Sequence, residues 1–482
     1  MTSRQVYDNA AALIEKSVII AADLFALFVC FRLARLIRLD ILPLVYAGFP
    51  EGQIYLNILT VWWIFLVWVF FLYYEGLYTK RHSFWDEIGL LWRVAFFSTV
   101  GVLTIVSLGK LSSIVSRTTV ILMGVLSLCI IPIVRVNVKR LLYKFGRFRR
   151  RVLILGAGET GRMIRTALGK ESNLGYDVIG FLDDDPSKAG MKVDGLKVHP
   201  GVDRAVSYLR AGRVSDIIIA MPGAGKERIQ NLINTLQHQA QRILYVPDMH
   251  GIAVLGTSLL HFFHEQAFAI ELKNNLARPV NFFMKRCFDI LACIILLPFL
   301  LVPMGVIAVL IRRDSEGAAI YTQERMTRYG RLFRCYKFRT MYLDSDERLA
   351  SYLAAHPEAR DELEEYWKLK NDPRVTKIGK FLRATSLDEL PQILNVLRGE
   401  MSFVGPRPYL PEEQEGMGEE AATILKGIPG ITGLWQVSGR SKTSYRFRMS
   451  LDAWYIRNWN LWLDIVILFK TVGVVIRREG AW

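Results

Sequence analysis

Hydrophobic residues in the first third of the chain fall into four long runs, at about residues 12–33, 54–74, 90–108 and 118–136. Each run is close to the roughly 20 residues that a helix needs to cross a bilayer. The pattern therefore predicts a membrane α-helical bundle of four spans over residues 1–148. We expect no cleavable signal peptide, because the first run lacks a small-residue cleavage site and is followed by further runs.

Basic residues after the fourth run predict the orientation of this bundle. They are Arg135, Lys139, Arg140, Lys144, Arg147, Arg149, Arg150 and Arg151. Positive charge flanks spans on the cytoplasmic side, so four spans place both ends of the bundle there. Asp23 falls inside the first run. A carboxylate at such a depth has a function or pairs inside the bundle, and pairing is the more ordinary explanation.

Short apolar segments then alternate with helical patterns, which predicts an α/β Rossmann-like module over residues 149–255. The expected strands are residues 151–155, 178–182, 216–220 and 242–246.

Gly156, Gly158 and Gly161 follow the first of these strands, and Asp183 ends the second. This spacing fits a dinucleotide site, and it also fits a loop whose glycines permit a tight turn and close helix packing. An NAD-dependent dehydratase would need a Tyr-x-x-x-Lys pair behind the loop. Tyr366 and Lys370 have that spacing but lie beyond the next apolar run. We therefore assign no cofactor-binding residues here, and expect residues 150–255 to assemble a homodimer.

A fifth apolar run, residues 290–311, has a basic pair at each end, Lys285-Arg286 and Arg312-Arg313. A spanning helix would place one pair outside, against the usual charge bias. Pro298 and Pro303 can kink a helix because each removes an N–H donor. We expect a re-entrant membrane helix at 286–311, inside a mixed α/β membrane-associated catalytic domain at 280–482; an ordinary span is the alternative.

Composition narrows the class of protein. Hydrophobic residues make up 52% of the chain, and the formal net charge is +16. The first value argues for a membrane protein. The basic residues lie beside apolar runs, which suits lipid headgroups and phosphates and not nucleic acid. The five cysteines show no metal-ligand spacing, so neither a disulfide framework nor a zinc site is expected.

Asp388 and Glu389 are the candidate catalytic residues. An apolar helical pattern runs to about Leu397, and either Ser386 or Asp388 could cap that helix. Both acids then lie in its first turn, where anions and phosphates are favoured. Capping and chemistry are equally good explanations of the pair taken alone. Cations on extended or glycine-bounded segments accompany the pair and suit phosphate binding: Lys337, Arg339, Arg407 and Arg440.

Several stretches resemble the bacterial sugar transferase domain of polyprenyl-phosphate phosphoglycosyl transferases. They are residues 285–289, 336–339, 368–374, 385–392, 404–408 and 433–440. The bundle and the module resemble the long members of this family, most of all the undecaprenyl-phosphate galactose phosphotransferases, with the glucose-specific homologues next.

The resemblance implies that Asp388 attacks the β-phosphorus of a UDP-hexose, releases UMP and carries a covalent phospho-sugar. Undecaprenyl phosphate then accepts the sugar phosphate. Glu389 with Asp388 is the implied Mg²⁺ site, and Lys337, Arg383, Arg407 and Arg440 are the implied phosphate and nucleotide contacts. The implied setting is a bacterial inner membrane, with the catalytic domain cytoplasmic and membrane lipids around it. Alternatives are the dehydratase above and a non-catalytic membrane scaffold.

Overall fold

The computed structural model describes residues 3–45, 58–146, 148–248, 258–262, 267–271, 279–356, 369, 372–438 and 445–477. The chain divides into two compact units, Met1–Met249 and His250–Trp482. Each unit is described by itself below.

Four apolar helices begin the first unit: α1 (Ser3–Leu36), α2 (Ile58–Tyr74), α3 (Phe84–Leu108) and α4 (Arg117–Lys144). Their core includes Leu27, Trp68, Val102 and Met123, each nearly inaccessible to solvent. Three of the four predicted spans correspond to helices long and apolar enough to cross a bilayer. The second corresponds to α2, which is shorter, and residues 46–57 before it lie outside the described residues.

Charged residues inside the bundle are paired with one another. Arg135 Nη1 lies 2.5 Å from Asp23 Oδ2, and its Nε lies 2.6 Å from Glu87 Oε1. Lys139 Nζ lies 2.6 Å from the same Glu87 atom, and Tyr78 donates a 2.9 Å hydrogen bond to Asp23. All five of these side chains are buried. Asp23 is therefore paired inside the bundle, which was the more ordinary of the two explanations for a carboxylate in the first run.

An α/β module follows. Its strands are β1 (Arg150–Leu155), β2 (Tyr176–Asp183), β3 (Lys192–Val193), β4 (Leu196–Pro200), β5 (Asp216–Ile219) and β6 (Arg242–Tyr245). The helices are α5 (Glu159–Lys170), α6 (Ala205–Arg210) and α7 (Lys226–Leu236). The sheet order is β3-β4-β2-β1-β5-β6, parallel except for the β3–β4 pair. Apolar clusters cover both faces of the sheet, as expected for a doubly wound fold. The strand order reverses at β1, whose end leads into the glycine loop.

Hydrogen bonds join the module to the bundle at the end of the sheet where β2 begins. Asn173 Nδ2 donates a 2.5 Å hydrogen bond to the buried Glu87. Arg81 donates to the carbonyl oxygens of Leu174 and Gly175 at 2.8 and 2.7 Å, and pairs with Glu15 of α1 at 2.8 Å. Hydrogen bonds therefore join the module to the bundle at two neighbouring points.

The second unit contains a short hairpin, β7 (Ser258–Phe262) with β8 (Ala267–Glu271), and then the long helix α8 (Pro279–Asp314). The remaining strands are β9 (Ile320–Met326), β10 (Leu332–Phe338), β11 (Ser402–Val404) and β12 (Gly430–Thr432). The remaining helices in the described part of this unit are α9 (Ser345–Ala355), α10 (Lys377–Thr385), α11 (Ile393–Arg398), α12 (Ala421–Ile424), α13 (Leu434–Val437), α14 (Tyr445–Asn458) and α15 (Leu461–Arg477). Hairpin β9–β10 is antiparallel, and β11 pairs with β12 in parallel.

Helix α8 is continuous across Pro298 and Pro303, so the chain does not leave the helix at either proline. One side of α8 packs on the rest of the unit before and after the prolines: Cys293 and Leu297 belong to the core with β10 and α11, and Ile307 and Ile311 belong to the core with α10. By length and composition α8 could cross a membrane.

Candidate active site

Asp388 and Glu389 lie on a 3-10 turn, Leu387–Gln392, between α10 and α11. The turn follows Ser386, whose φ of 56° is left-handed and ends α10. Ser386, one of the two candidate caps, does not cap the turn through its side chain, which makes no capping hydrogen bond. Asp388 and Glu389 therefore lie in the first turn of the 3-10 helix and do not cap it. Their carboxylates remain available for contacts with other groups.

Lys337 reaches this turn from the hairpin. Its Nζ lies 2.8 Å from Glu389 Oε1. Strand alternation places Lys337 on the same face of β10 as the buried Cys335, and its side chain is partly buried. The neighbouring carboxylates outweigh the effect of burial and keep the pKa of Lys337 above its ordinary value, so the side chain is charged.

Arg383, in the last turn of α10, is the second cation near Asp388. Its Nε donates a 3.0 Å hydrogen bond to Thr340 Oγ1, which fixes the direction of the side chain. Burial and the adjacent Glu389 charge raise the pKa of Asp388 to about 6, while Lys337 and Arg383 oppose that rise. The Asp388 carboxylate is thus mostly ionised at neutral pH and more basic than a solvent-exposed one, as suits a nucleophile.

Arg407 belongs to a neighbouring cluster. Its backbone N–H donates to Asp452 Oδ2 at 3.1 Å, and Tyr409 donates to the same oxygen at 2.8 Å. Glu413 lies 3.9 Å from both Arg407 and Arg325. The cations that act most strongly on Asp388 are Lys337 and Arg383, and not Arg407. Arg440 lies outside the described residues.

Sequence reasoning missed Arg325 and Asp452. Arg325 donates a 3.0 Å hydrogen bond to Pro408 O and so joins the hairpin to the Arg407 loop. Asp452 is buried on the same face of α14 as Met449 and Ile456, and burial raises its pKa to about 7. The sequence signal for Asp452 was a carboxylate on the apolar face of a helix. Its hydrogen-bond donors, Arg407 and Tyr409, lie more than 40 residues away in sequence.

No group of three or more His, Cys, Asp or Glu side chains forms a metal site in the described part of the chain. Asp388 and Glu389 nevertheless fit Mg²⁺, which commonly takes one or two protein carboxylates and completes its shell with water and substrate phosphates. The raised pKa of Asp388 reflects repulsion by Glu389 as well as burial, and a bound cation would relieve that repulsion.

The glycine loop of the module is hydrogen-bonded to Asp183, at the end of β2. Asp183 accepts hydrogen bonds from the N–H groups of Ala157 and Asp185, at 2.8 and 2.9 Å, and from Lys188 at 3.3 Å. A Cβ on Gly156 would lie 2.5 Å from Ala220 O, and one on Gly161 would lie 2.1 Å from Gly156 O. Close packing thus accounts for two of the three glycines.

Comparisons with known proteins give the family. Residues 280–478 match the family described as bacterial sugar transferase, and residues 76–247 match one described as a CoA-binding domain. The chain is 39% identical over 406 residues to an undecaprenyl-phosphate galactose phosphotransferase of Salmonella typhimurium, covering 84% of each protein. The chain belongs to the bacterial sugar transferase family.

Other members extend this relationship. A UDP-galactose-lipid carrier transferase of Erwinia amylovora is 38% identical over 406 residues and 84% of each protein. A UDP-glucose:undecaprenyl-phosphate glucose-1-phosphate transferase of Klebsiella pneumoniae is 31% identical over 343 residues and 68% of each protein. The predicted resemblance to long members of the family is confirmed, and so is the prediction of a phosphotransferase enzyme. The apolar helices agree with insertion into a membrane.

Proposed function

We propose that the protein transfers hexose-1-phosphate from a UDP-hexose to undecaprenyl phosphate and releases UMP, as the first membrane step in the synthesis of O-antigen, capsule or exopolysaccharide. The observation that carries this proposal is the cluster of Asp388, Glu389, Lys337 and Arg383, with a half-buried carboxylate of raised pKa at its centre. Galactose is favoured over glucose, because the relatives named for galactose are more similar and match over a larger share of the chain.

The reaction has two balanced steps. A carboxylate oxygen of Asp388 attacks the β-phosphorus of the donor, and the bond from that phosphorus to the oxygen bridging it to the α-phosphorus breaks, so that UMP leaves. A phosphate oxygen of the carrier then attacks the phosphorus held on Asp388. The acyl phosphate bond breaks, and the Asp388 carboxylate is restored. Covalent catalysis generally helps because it divides one difficult displacement into two easier ones.

The cations of the site bind and orient the phosphates in this scheme. Lys337 and Arg383 act most strongly on the charge of Asp388, and Arg407 and Arg440 are proposed to contact the rest of the nucleotide. Glu389, with Asp388, would hold Mg²⁺. The ion, when bound, neutralises diphosphate charge. Lys337 holds Glu389 in place through their 2.8 Å contact.

Trapping the intermediate tests this proposal. Incubation with UDP-galactose labelled in the sugar, without a lipid carrier, should leave label on the wild-type protein and none on Asp388→Asn. Asp346→Asn, at an exposed carboxylate of α9, is the matched control and should be labelled like the wild type. Full turnover by Asp388→Asn would show that another group is the nucleophile. In parallel, Glu389→Gln should need more Mg²⁺ for the same rate.

We propose that α8 is re-entrant. Near its start, Lys285 pairs with Asp464 at 2.6 Å. At its end, Asp314 accepts a 3.0 Å hydrogen bond from Ile378 N. Both ends therefore bind the same unit, as expected of a helix that leaves by the leaflet it entered. Residues on its other face, such as Ile294, Phe299 and Val302, are exposed and apolar, and we propose that they contact lipid. Cytoplasmic placement of the catalytic domain, in a bacterial inner membrane, follows the charge bias of the bundle.

We propose that the module assembles the protein as a homodimer and performs no redox chemistry. Asp183, which a dinucleotide site would direct at a ribose, is engaged by the loop and Lys188. Purified protein is expected to contain no stoichiometric NAD, and light scattering should give the mass of a dimer. Stoichiometric NAD together with a monomeric mass would refute both parts.

A further inference from the structure

Phe282, Arg328 and Tyr329 form a stacked group beside the start of α8. The guanidinium carbon of Arg328 lies 4.4 Å from the centre of the Phe282 ring and 4.7 Å from that of Tyr329. Its Nε donates a 3.0 Å hydrogen bond to Lys426 O. Two aromatic rings and a carbonyl oxygen thus hold one charged side chain in a fixed place.

A cavity of about 260 Å³ opens beside this group, and Thr327, Arg331 and Gly399 are also among the residues that line it. Among the described residues that line it, two are arginines and none is acidic. Arg286 adds a third positive charge nearby, because it donates to the carbonyl oxygens of Val396 and Leu397, just before Gly399. This charge distribution suits an anion, and guanidinium groups suit phosphate in particular.

The cavity adjoins an apolar surface. Val280 and Phe283, on either side of Phe282, are 68% and 67% exposed, and Met284 is 43% exposed. On the side of α8 that carries Phe283, exposed apolar residues continue through Ile290 and Ile294. A molecule with its phosphate in the cavity would therefore have a hydrophobic surface beside it for apolar chains.

We propose that this cavity binds the headgroup of an anionic phospholipid, with Arg328 and Arg331 contacting the phosphodiester and the acyl chains lying along α8. The proposal rests on the proposed membrane placement of α8. A phospholipid fits better than the carrier substrate because the cavity lies at the turn of the β9–β10 hairpin, where Met326 pairs with Leu332. Lys337, which marks the Asp388 site, is five residues further along β10, or about 17 Å at strand spacing.

Lipid retention tests the proposal independently of turnover. The full-length protein is placed in nanodiscs of phosphatidylcholine with a minority of phosphatidylglycerol, and the phosphatidylglycerol retained after extraction is counted by native mass spectrometry. Arg331→Gln should lower the apparent affinity for phosphatidylglycerol roughly fivefold, as expected for one basic residue at an anionic surface. Arg328→Gln should act in the same direction. Arg334→Gln, an exposed cation on the opposite face of the same hairpin, is the matched control and should retain lipid like the wild type.

Three results would overturn the assignment. Equal retention by all variants would show that the cavity does not select anionic lipid, and an equal loss in Arg334→Gln would show that only general surface charge acts. Displacement of the retained phosphatidylglycerol by added undecaprenyl phosphate would assign the cavity to the carrier. Arg331 is exposed, so its replacement leaves the core unchanged. A wild-type protein that retains the lipid but has no turnover would contradict the proposed reaction and not the lipid site.

Discussion

At Asp388 two opposing influences act on one carboxyl group. Burial and Glu389 raise its pKa to about 6, and Lys337 with Arg383 limits the rise. The first step needs the ionised form, so the rate of adduct formation should fall about tenfold for each pH unit below that value. Lys337→Met removes a stabilising cation and should move this acid limb to higher pH. Arg334→Met, on the opposite face of the same strand, should leave the limb unmoved. Superimposable pH profiles of wild type and Lys337→Met would contradict this account.

The same shift has a consequence for stability. Folding raises the pKa of Asp388 above its usual value of about 3.9, so the folded protein binds this proton more readily than the unfolded chain does. The resulting stabilisation is present at low pH and is lost as pH rises through about 6. Asp388→Asn, which stays neutral, should be at least as stable as the wild type in thermal unfolding at pH 7. A clearly lower melting temperature would show that the carboxylate supports the fold.

At the scale of single elements, the glycine loop offers a matched pair of substitutions. No atom lies within 4 Å of a Cβ built on Gly158, whereas one on Gly161 would lie 2.1 Å from Gly156 O. Gly161→Ala should therefore destabilise the module by about 1–3 kcal/mol, as overpacking usually does. Gly158→Ala should keep both its melting temperature and its turnover. If Gly158→Ala folds normally but loses the transfer step, the loop must bind a ligand that catalysis needs.

The re-entrant helix can be tested by labelling from one side. Val280 and Arg313 lie near the two ends of α8 and are exposed. Single cysteines at these positions, in a cysteine-free background, should both resist an impermeant thiol reagent added to the outside of spheroplasts. Labelling at one end only would mean that α8 crosses the bilayer. Pro298→Ala restores a helix N–H donor and should increase the crossing form.

Sequence patterns predicted most of the helices and strands, but not the contacts between segments that are distant in sequence. The expected strand at residues 216–220 is β5 (Asp216–Ile219), because a short apolar run between turns is a strong local signal. Strands β3 and β4 were missed, since they are short and largely polar. Lys337 and Arg383 were chosen as candidates and do lie by Asp388. The role of Asp452 depends on chain segments brought together only by folding, which no local pattern reveals.

At the scale of the first unit as a whole, buried charges connect the membrane bundle to the module. Arg135→Met would leave Asp23 and Glu87 buried without their main partner. Loss of one partner from a buried pair costs about 3–5 kcal/mol, and thermal unfolding of the detergent-solubilised protein should show it. Arg93→Met breaks the exposed contact with Glu75 and should cost at most about 1 kcal/mol. Equal effects of the two substitutions would mean that the buried network does not stabilise the unit.

The hydrogen bond from Asn173 to Glu87 also limits how this protein can be recombined with its relatives. A chimera joined at residues 146–149, the obvious seam between membrane helices and sheet, would take the donor from one parent and the acceptor from the other. Glu87 would then keep Arg135 and Lys139 but lose the Asn173 amide. Aligning the two domains separately would not reveal this mismatch. A crossover at the boundary of the compact units, between Met249 and His250, inherits the network whole. Hybrids built at that point should be the ones that express, and sugar specificity should travel with the C-terminal parent.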